Sequence, residues 1–206
     1  MPFVTLEGIE GCGKSTQARA LAQALGSDAL LTQEPGGTPL GRDIRQLLLH
    51  GGAMAPAAEV LLYFADRAQH VASVVRPALE AGKVVVCDRY VDSSYAYQGY
   101  GRGISLDLLR HVFDLATGGL MPDLTLLIDV PVELGLGRVG RRGPHDRLEA
   151  EERAFHERVR DGYHALAKQD PRRWLSFDGS KDEAQLTPEL VLAVERRLGV
   201  RAGGVR

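Results

Sequence analysis

Gly8-Ile9-Glu10-Gly11-Cys12-Gly13-Lys14-Ser15 fits G-x-x-x-x-G-K-[ST] without a mismatch. Its surroundings suit the motif. Phe3-Val4-Thr5-Leu6 before it reads as a short buried strand, and 15–25 after it carries Ala18, Leu21, Ala22 and Leu25 at helical spacing. The glycines let the backbone wrap tightly, so that successive N–H groups point at one anion. The following helix adds its positive end. Lys14 is placed to neutralise β- and γ-phosphate charge, and Ser15 to ligate Mg²⁺. The bland reading is a glycine-rich strand-to-helix turn that binds nothing. A strand on one side and a helix on the other weigh against it.

Outward from this loop, strands and helices alternate. Leu30-Leu31-Thr32 is a weak second strand, and Glu34-Pro35-Gly36-Gly37-Thr38 then breaks the chain. Thr38 can cap a helix running to about 49, which Gly51-Gly52 closes. A long helix opens at Pro56 or Ala57, with Leu61, Leu62, Phe64, Ala65, Ala68, Val71 and Val75 down one side. Lys83-Val84-Val85-Val86-Cys87-Asp88 and Leu124-Thr125-Leu126-Leu127-Ile128-Asp129 are apolar runs ending in a carboxylate, the pattern of strands covered on both faces. A Ser-, Tyr- and Gly-rich loop is expected up to 103, then a helix to about 116. Pro131 suits the first turn of another helix. A charged helix over 149–168, a strand over 174–177 and a helix over 188–198 complete the pattern. Such alternation implies a parallel sheet with helices on both faces and ligands beyond the carboxyl ends of the strands. Glu7, Glu34, Asp88 and Asp129 all stand at or near those ends.

At 206 residues the chain suits one domain with a sizeable core. A net charge of −2 gives no basic field to attract nucleic acid. Two cysteines do not make a disulfide framework, so Cys12 and Cys87 are expected as small buried groups. Met1 leads directly into strand and loop, without a signal-peptide pattern. No apolar run approaches the ~18 residues that would span a bilayer, so no membrane partner is expected and a cytoplasmic protein is.

Asp88-Arg89-Tyr90 is the second chemical signal. A strand-terminal acid beside a phosphate loop commonly holds Mg²⁺ or its waters, and Arg89 enters the same crevice, where phosphate is the expected partner. Alone, the pair would read as a surface salt bridge. Tyr63 and Arg67, four apart on the long helix, share a face suited to stacking and hydrogen-bonding a planar base. A core aromatic with a solvated arginine fits that spacing as well, and Phe64 competes with Tyr63. Arg138, Arg141, Arg142 and Arg147 alternate with Gly137, Gly140 and Gly143. A charge run is usually a solvated face. Here the glycines suggest a mobile segment that closes over ATP and excludes water.

With these pieces assembled, the chain resembles the bacterial thymidylate kinases from Phe3 to about Leu198. The phosphate loop alone indicates only nucleotide binding. More specific is its combination with Glu34-Pro35-Gly36-Gly37-Thr38, Asp88-Arg89-Tyr90, Ser93-Ser94-Tyr95-Ala96-Tyr97-Gln98-Gly99 and Asp146-Arg147. The resemblance implies an α/β P-loop NTPase fold with a five-stranded parallel sheet, helices on both faces and a short arginine-containing lid at about 140–148. It implies one kinase domain over 1–206, with 200–206 frayed. It also implies transfer of the ATP γ-phosphoryl to dTMP, giving dTDP and ADP, with Mg²⁺, in a homodimer built on helix packing.

Residue by residue, the resemblance assigns ATP to Gly8, Ile9, Glu10, Gly11, Cys12, Gly13, Lys14, Ser15 and Thr16, with Arg138 and Arg142 from the basic segment. It assigns the metal to Ser15, Glu10 and Asp88, with Glu10 near the metal or the acceptor phosphate. Arg45 and Arg89 match holders of the dTMP phosphate, Tyr63 stacks on thymine, and Arg67 hydrogen-bonds the base. Ser94 and Gln98 surround the base, Tyr97 lies beside the sugar, and Glu34 sits near the 3′-hydroxyl. Lys14, Arg89 and Arg142 form the catalytic set. The phosphate loop lacks an extra basic residue, consistent with an arginine supplied by the lid. Gln33 and Tyr63 depart from the usual arginine and phenylalanine. Neighbouring readings are a deoxynucleoside kinase, another nucleoside monophosphate kinase, or a motor driven by ATP hydrolysis. A regulatory GTPase of Asn-Lys-x-Asp type is excluded, because the chain contains no asparagine.

Overall fold

The computed structural model describes residues 1–141, 146–201 and 203. Five strands form one parallel sheet: β1 (Phe3–Glu7), β2 (Ala29–Gln33), β3 (Val84–Asp88), β4 (Leu124–Asp129) and β5 (Trp174–Asp178), in the order β2-β3-β1-β4-β5. The three middle strands are buried along nearly their whole length, whereas β2 and β5 show exposed positions, as edges do. β1 is central, with Leu6 opposite both Asp88 and Leu126, so the loop leaving β1 meets the carboxyl end of β3 directly.

Nine α-helices are described: α1 (Lys14–Leu25), α2 (Pro39–His50), α3 (Pro56–His70), α4 (Arg76–Glu80), α5 (Val91–Ser94), α6 (Leu106–Thr117), α7 (Val132–Val139), α8 (Arg153–Gln169) and α9 (Glu183–Leu198). Thr38 caps α2 by accepting from the Gly41 N–H at 2.9 Å, as its sequence position suggests. The core lies between the sheet and these helices, built on Leu6, Leu21, Val86, Leu109, Leu126, Ile128 and their neighbours. Cys12 and Cys87 are buried free thiols. Among the described residues no helix is long and apolar enough to cross a membrane.

Four local expectations are corrected. The stretch after Tyr90 is not a loop: α5 runs on into a wider helical turn over Tyr95–Gly101. Serine and glycine are weak helix formers, but packing against α8 overrides propensity. A side chain at Gly101 would come within 2.9 Å of Phe155 and Val159, so that approach requires glycine. The long helix is likewise continuous only through a widened turn at Val71–Val75, and two of its expected core residues, Leu61 and Ala65, are exposed. Its buried face instead holds Glu59, Asp66, Arg67 and His70. α8 starts at Arg153 and not at 149, because Asp146 first organises a turn, accepting from the Leu148 and Glu149 N–H groups. α9 starts at Glu183, where Asp182 supplies the cap, and contains Pro188.

Candidate active site

The phosphate loop follows β1. Gly11 has φ +70°, and a Cβ there would lie 2.0 Å from the Gly135 carbonyl oxygen on α7. Only glycine meets both conditions. Gly13 precedes α1 and offers no side-chain cap, so the first N–H groups of that helix are left for an anion. Lys14 is folded over the loop, its Nζ donating to the Ile9 carbonyl at 3.1 Å. Gly8, Ile9 and Cys12 are buried, while Ser15 is exposed. Asp88, which lines the same cleft as Ser15, has a buried Oδ1 without a hydrogen-bond partner among the described residues. An orphaned carboxylate oxygen in a cleft that also holds a serine hydroxyl would suit a divalent cation.

The opposite wall is built from side chains far apart in sequence. Arg67 is 1% exposed, so it is no solvated arginine. Its Nε donates to Glu34 Oε2 at 2.8 Å, Nη1 to Ser94 Oγ at 3.0 Å and Nη2 to the Tyr90 carbonyl at 3.0 Å. The guanidinium is stacked between Phe64 and Tyr90, 4.8 and 5.2 Å from their ring centres. Glu34 also pairs with His70 Nδ1 at 2.8 Å, and the other imidazole nitrogen bonds Thr32 at 2.6 Å. The Glu34-Pro35-Gly36 segment is held further by Asp66, which accepts from Gly36 N, and by Arg45, which donates to the Pro35 carbonyl.

Arg89 has φ +70°, a left-handed conformation worth about 1–3 kcal/mol of strain in a non-glycine residue. A dense network offsets it. Nη1 donates to Ser93 Oγ and Tyr163 OH at 2.9 and 3.0 Å, and Nη2 to Glu10 Oε1 and Tyr97 OH at 3.1 and 3.0 Å. Tyr97 OH also donates to Glu10 Oε1 at 2.5 Å. Glu10 is thus turned toward Arg89. Burial pushes its carboxyl up, but the His156 imidazole, Arg89 and Lys14 outweigh burial and hold it at about 2. His156 Nδ1 lies 3.3 Å from Glu10 Oε2, outside hydrogen-bond geometry. Glu7, three residues earlier, shifts the other way. Burial and the Asp92 carboxylate push it up to about 7, despite hydrogen bonds from Ser93 Oγ and the Tyr90 N–H.

The two walls line one cleft of about 210 Å³. Glu10, Gly11, Lys14, Ser15 and Asp88 line one end; Glu34, Arg45, Tyr63, Arg67, Arg89, Ser94, Tyr97 and Gln98 line the rest. Arg138 instead donates from α7 to the Gly11 and Gly179 carbonyls, bracing the loop from behind. Arg142 lies outside the described residues. Arg147 anchors the end of the basic segment to α2, through the Leu48 and Leu49 carbonyls. The Tyr63 hydroxyl makes no protein hydrogen bond among the described residues. Sequence reasoning did not single out Ser93, His70, Tyr163, His156 or Glu59. Glu59, Arg67 and His70 share spacings near three and four on α3, so a polar stripe was the available signal.

The sequence profile of the thymidylate kinase family matches residues 6–189. The thymidylate kinase of Synechococcus sp. (strain JA-2-3B'a(2-13)) is 51% identical over 205 residues, covering 98% of each chain. That of Deinococcus radiodurans is 50% identical over 199 residues, covering 95% of this chain and 97% of the relative. In three dimensions, the crystal structure of thymidylate kinase from Ehrlichia chaffeensis superposes with a TM-score of 0.78 at 34% identity, covering 95% of this chain and 98% of the other. A parallel five-stranded sheet with a phosphate loop leaving its central strand, matched by relatives over nearly its whole length, places this chain in the thymidylate kinase family.

Proposed function

We propose that the cleft holds two nucleotides end to end, ATP with its phosphates on the Lys14 loop and dTMP along the α3–α5 wall, their charged tails meeting between Lys14 and Arg89. As a member of its family the chain is an ATP-dependent phosphotransferase that makes dTDP and ADP from dTMP and ATP. The observation that carries the site reading is continuity: Lys14 and Ser15 line the same cavity as Tyr63, Arg67 and Gln98. The acceptor is a phosphate monoester that already carries a nucleophilic oxygen, so no general base is assigned. In-line transfer then depends on positioning and on charge stabilisation. Lys14 and the α1 N-terminus neutralise the β- and γ-phosphates. Arg89, backed by Glu10, Tyr97, Ser93 and Tyr163, holds the acceptor phosphate, with Arg45 beside it. Arg142 from the lid supplies positive charge in the transition state. Tyr63 stacks on the base, Arg67 donates to it, and Tyr97 stands against the sugar. Ser15 and Asp88 are the residues that would hold Mg²⁺, which would supply positive charge to offset that of the phosphates.

Coupled ADP release across dTMP, dUMP, UMP, CMP and AMP tests the acceptor. Preference for UMP, CMP or AMP overturns this reading. Fast hydrolysis without any acceptor would favour a motor. A homodimer through α3 and α6 is part of the same proposal. The exposed Leu61 on α3 and Leu108 and Leu115 on α6 support it, since apolar side chains left in water favour a partner. Light scattering at micromolar concentration checks it; a 22.3 kDa species would rule it out.

A further inference from the structure

Glu59 has no role in the chemistry above, yet it is 1% exposed and bonded to three residues from two distant segments. It sits on α3 one turn before Tyr63 and two before Arg67, behind the cleft wall. Its Oε1 accepts from Gln98 Nε2 at 2.9 Å and from Arg102 Nε at 2.8 Å, and its Oε2 pairs with Arg147 Nη1 at 2.5 Å. Burial raises its carboxyl, but hydrogen bonds from Arg102, Gln98 and Arg147 outweigh that and keep it below the ordinary range, so it stays ionised. An ionised carboxylate only accepts, whereas a carboxamide has a donor end and an acceptor end. Gln98 can therefore satisfy Glu59 through Nε2 alone. This fixes the rotation of the amide. Oε1 is left without a protein partner among the described residues, on a side chain that lines the cleft.

The wall then shows an acceptor at Gln98 and a donor at Arg67. A keto-pyrimidine presents a ring N–H beside a carbonyl and matches that order. An amino-pyrimidine presents a bare ring nitrogen beside an NH₂ and reverses it. We infer that Glu59 is a positioning residue that sets which end of the Gln98 carboxamide faces the base, and thereby the preference for keto- over amino-pyrimidine monophosphates. The inference rests on the proposed placement of the base against Gln98.

The test uses Glu59→Gln, which keeps the shape but lets either end of the Gln98 amide be satisfied. Dissociation constants for dTMP, dUMP and dCMP are measured by calorimetry on the full chain. The expected result is a roughly tenfold fall in the dTMP-over-dCMP preference, about the value of one hydrogen bond, with the dTMP-over-dUMP preference unchanged. Gln98→Met should lower the same preference, and Glu59→Gln should add less than twofold in the Gln98→Met background. If Glu59→Gln does not fold because Arg102 loses its carboxylate, Glu59→Gln/Arg102→Met removes that charge and is read in its place. An unchanged preference in the folded Glu59 variant, or an equal fall with and without the Gln98 amide, overturns the positioning role. An unchanged preference in Gln98→Met overturns the base placement itself.

Discussion

The two halves of the cleft are built on opposite principles. The proposed donor side, from Gly8 to Ser15, is one continuous stretch whose chemistry is mostly backbone: glycine conformations, free N–H groups and a helix end. The proposed acceptor side draws Glu34, Arg67, Arg89, Ser94 and Gln98 from separate elements and is held by ion pairs and hydrogen bonds between buried side chains. A backbone site tolerates changes of side chain but not an added Cβ. A side-chain site fails when one partner leaves a buried charge behind. Glu7 and Glu10, three residues apart and both buried, show how local this is: Glu10 faces cations and is held at about 2, while Glu7 faces another carboxylate and is pushed to about 7.

The largest break should come on the acceptor side. Arg67→Met leaves Glu34 buried without its main partner, and chemical denaturation should show a loss of about 3–5 kcal/mol. Adding Glu34→Gln should return part of it; no recovery would mean that Arg67 contributes mainly by packing. On the donor side, Lys14→Met should lower kcat by roughly 10²–10³-fold with little change in melting temperature, since one preorganised cationic donor is lost. A matching collapse in stability would make Lys14 structural. Gly11→Ala should destabilise by about 1–3 kcal/mol through its left-handed φ, and further through the approach of the new Cβ to the Gly135 carbonyl, although no side-chain contact is removed. An unchanged melting temperature would mean that the loop shifts freely.

The paired carboxylates predict a pH signature. Between 4.5 and about 7, folded Glu7 holds a proton that the unfolded chain releases, so its effect on stability becomes more unfavourable as pH rises through that window. The wild-type melting temperature should therefore fall relative to Glu7→Gln from pH 5 to 7.5. A constant difference would show that Glu7 does not titrate there. Glu10 has the opposite sign: its contribution is complete above about 4.5 and is lost as pH falls toward 2. The smallest effect is expected for Tyr97→Phe, which removes one hydroxyl shared by Glu10 and Arg89 but keeps the ring under the guanidinium, 4.9 Å away. About 0.5–1.5 kcal/mol, read as a several-fold rise in the KM for dTMP, is the expected size.

The sequence carried the fold well where one physical pattern acted alone. Apolar runs at 84–87 and 124–128 became central strands, and Thr38 became a cap. It failed where patterns conflicted. Ser93, Gly99 and Gly101 looked like a loop, because the partner that makes them helical, α8, lies over fifty residues away. For Arg67 the spacing left a base contact and a solvated side chain both open, because a buried guanidinium needs Glu34, Ser94 and the Tyr90 carbonyl to be there, and none is near it in sequence.

What the sequence determined by itself was the phosphate loop, the alternating elements around it and the sign of the charges gathered at the strand ends, since each follows from residues within a few positions of one another. Tertiary structure alone decided which charges pair, which carboxylate is held ionised and which end of Gln98 is left free. Those depend on distances of about 3 Å between atoms brought together only when the sheet and its helices close.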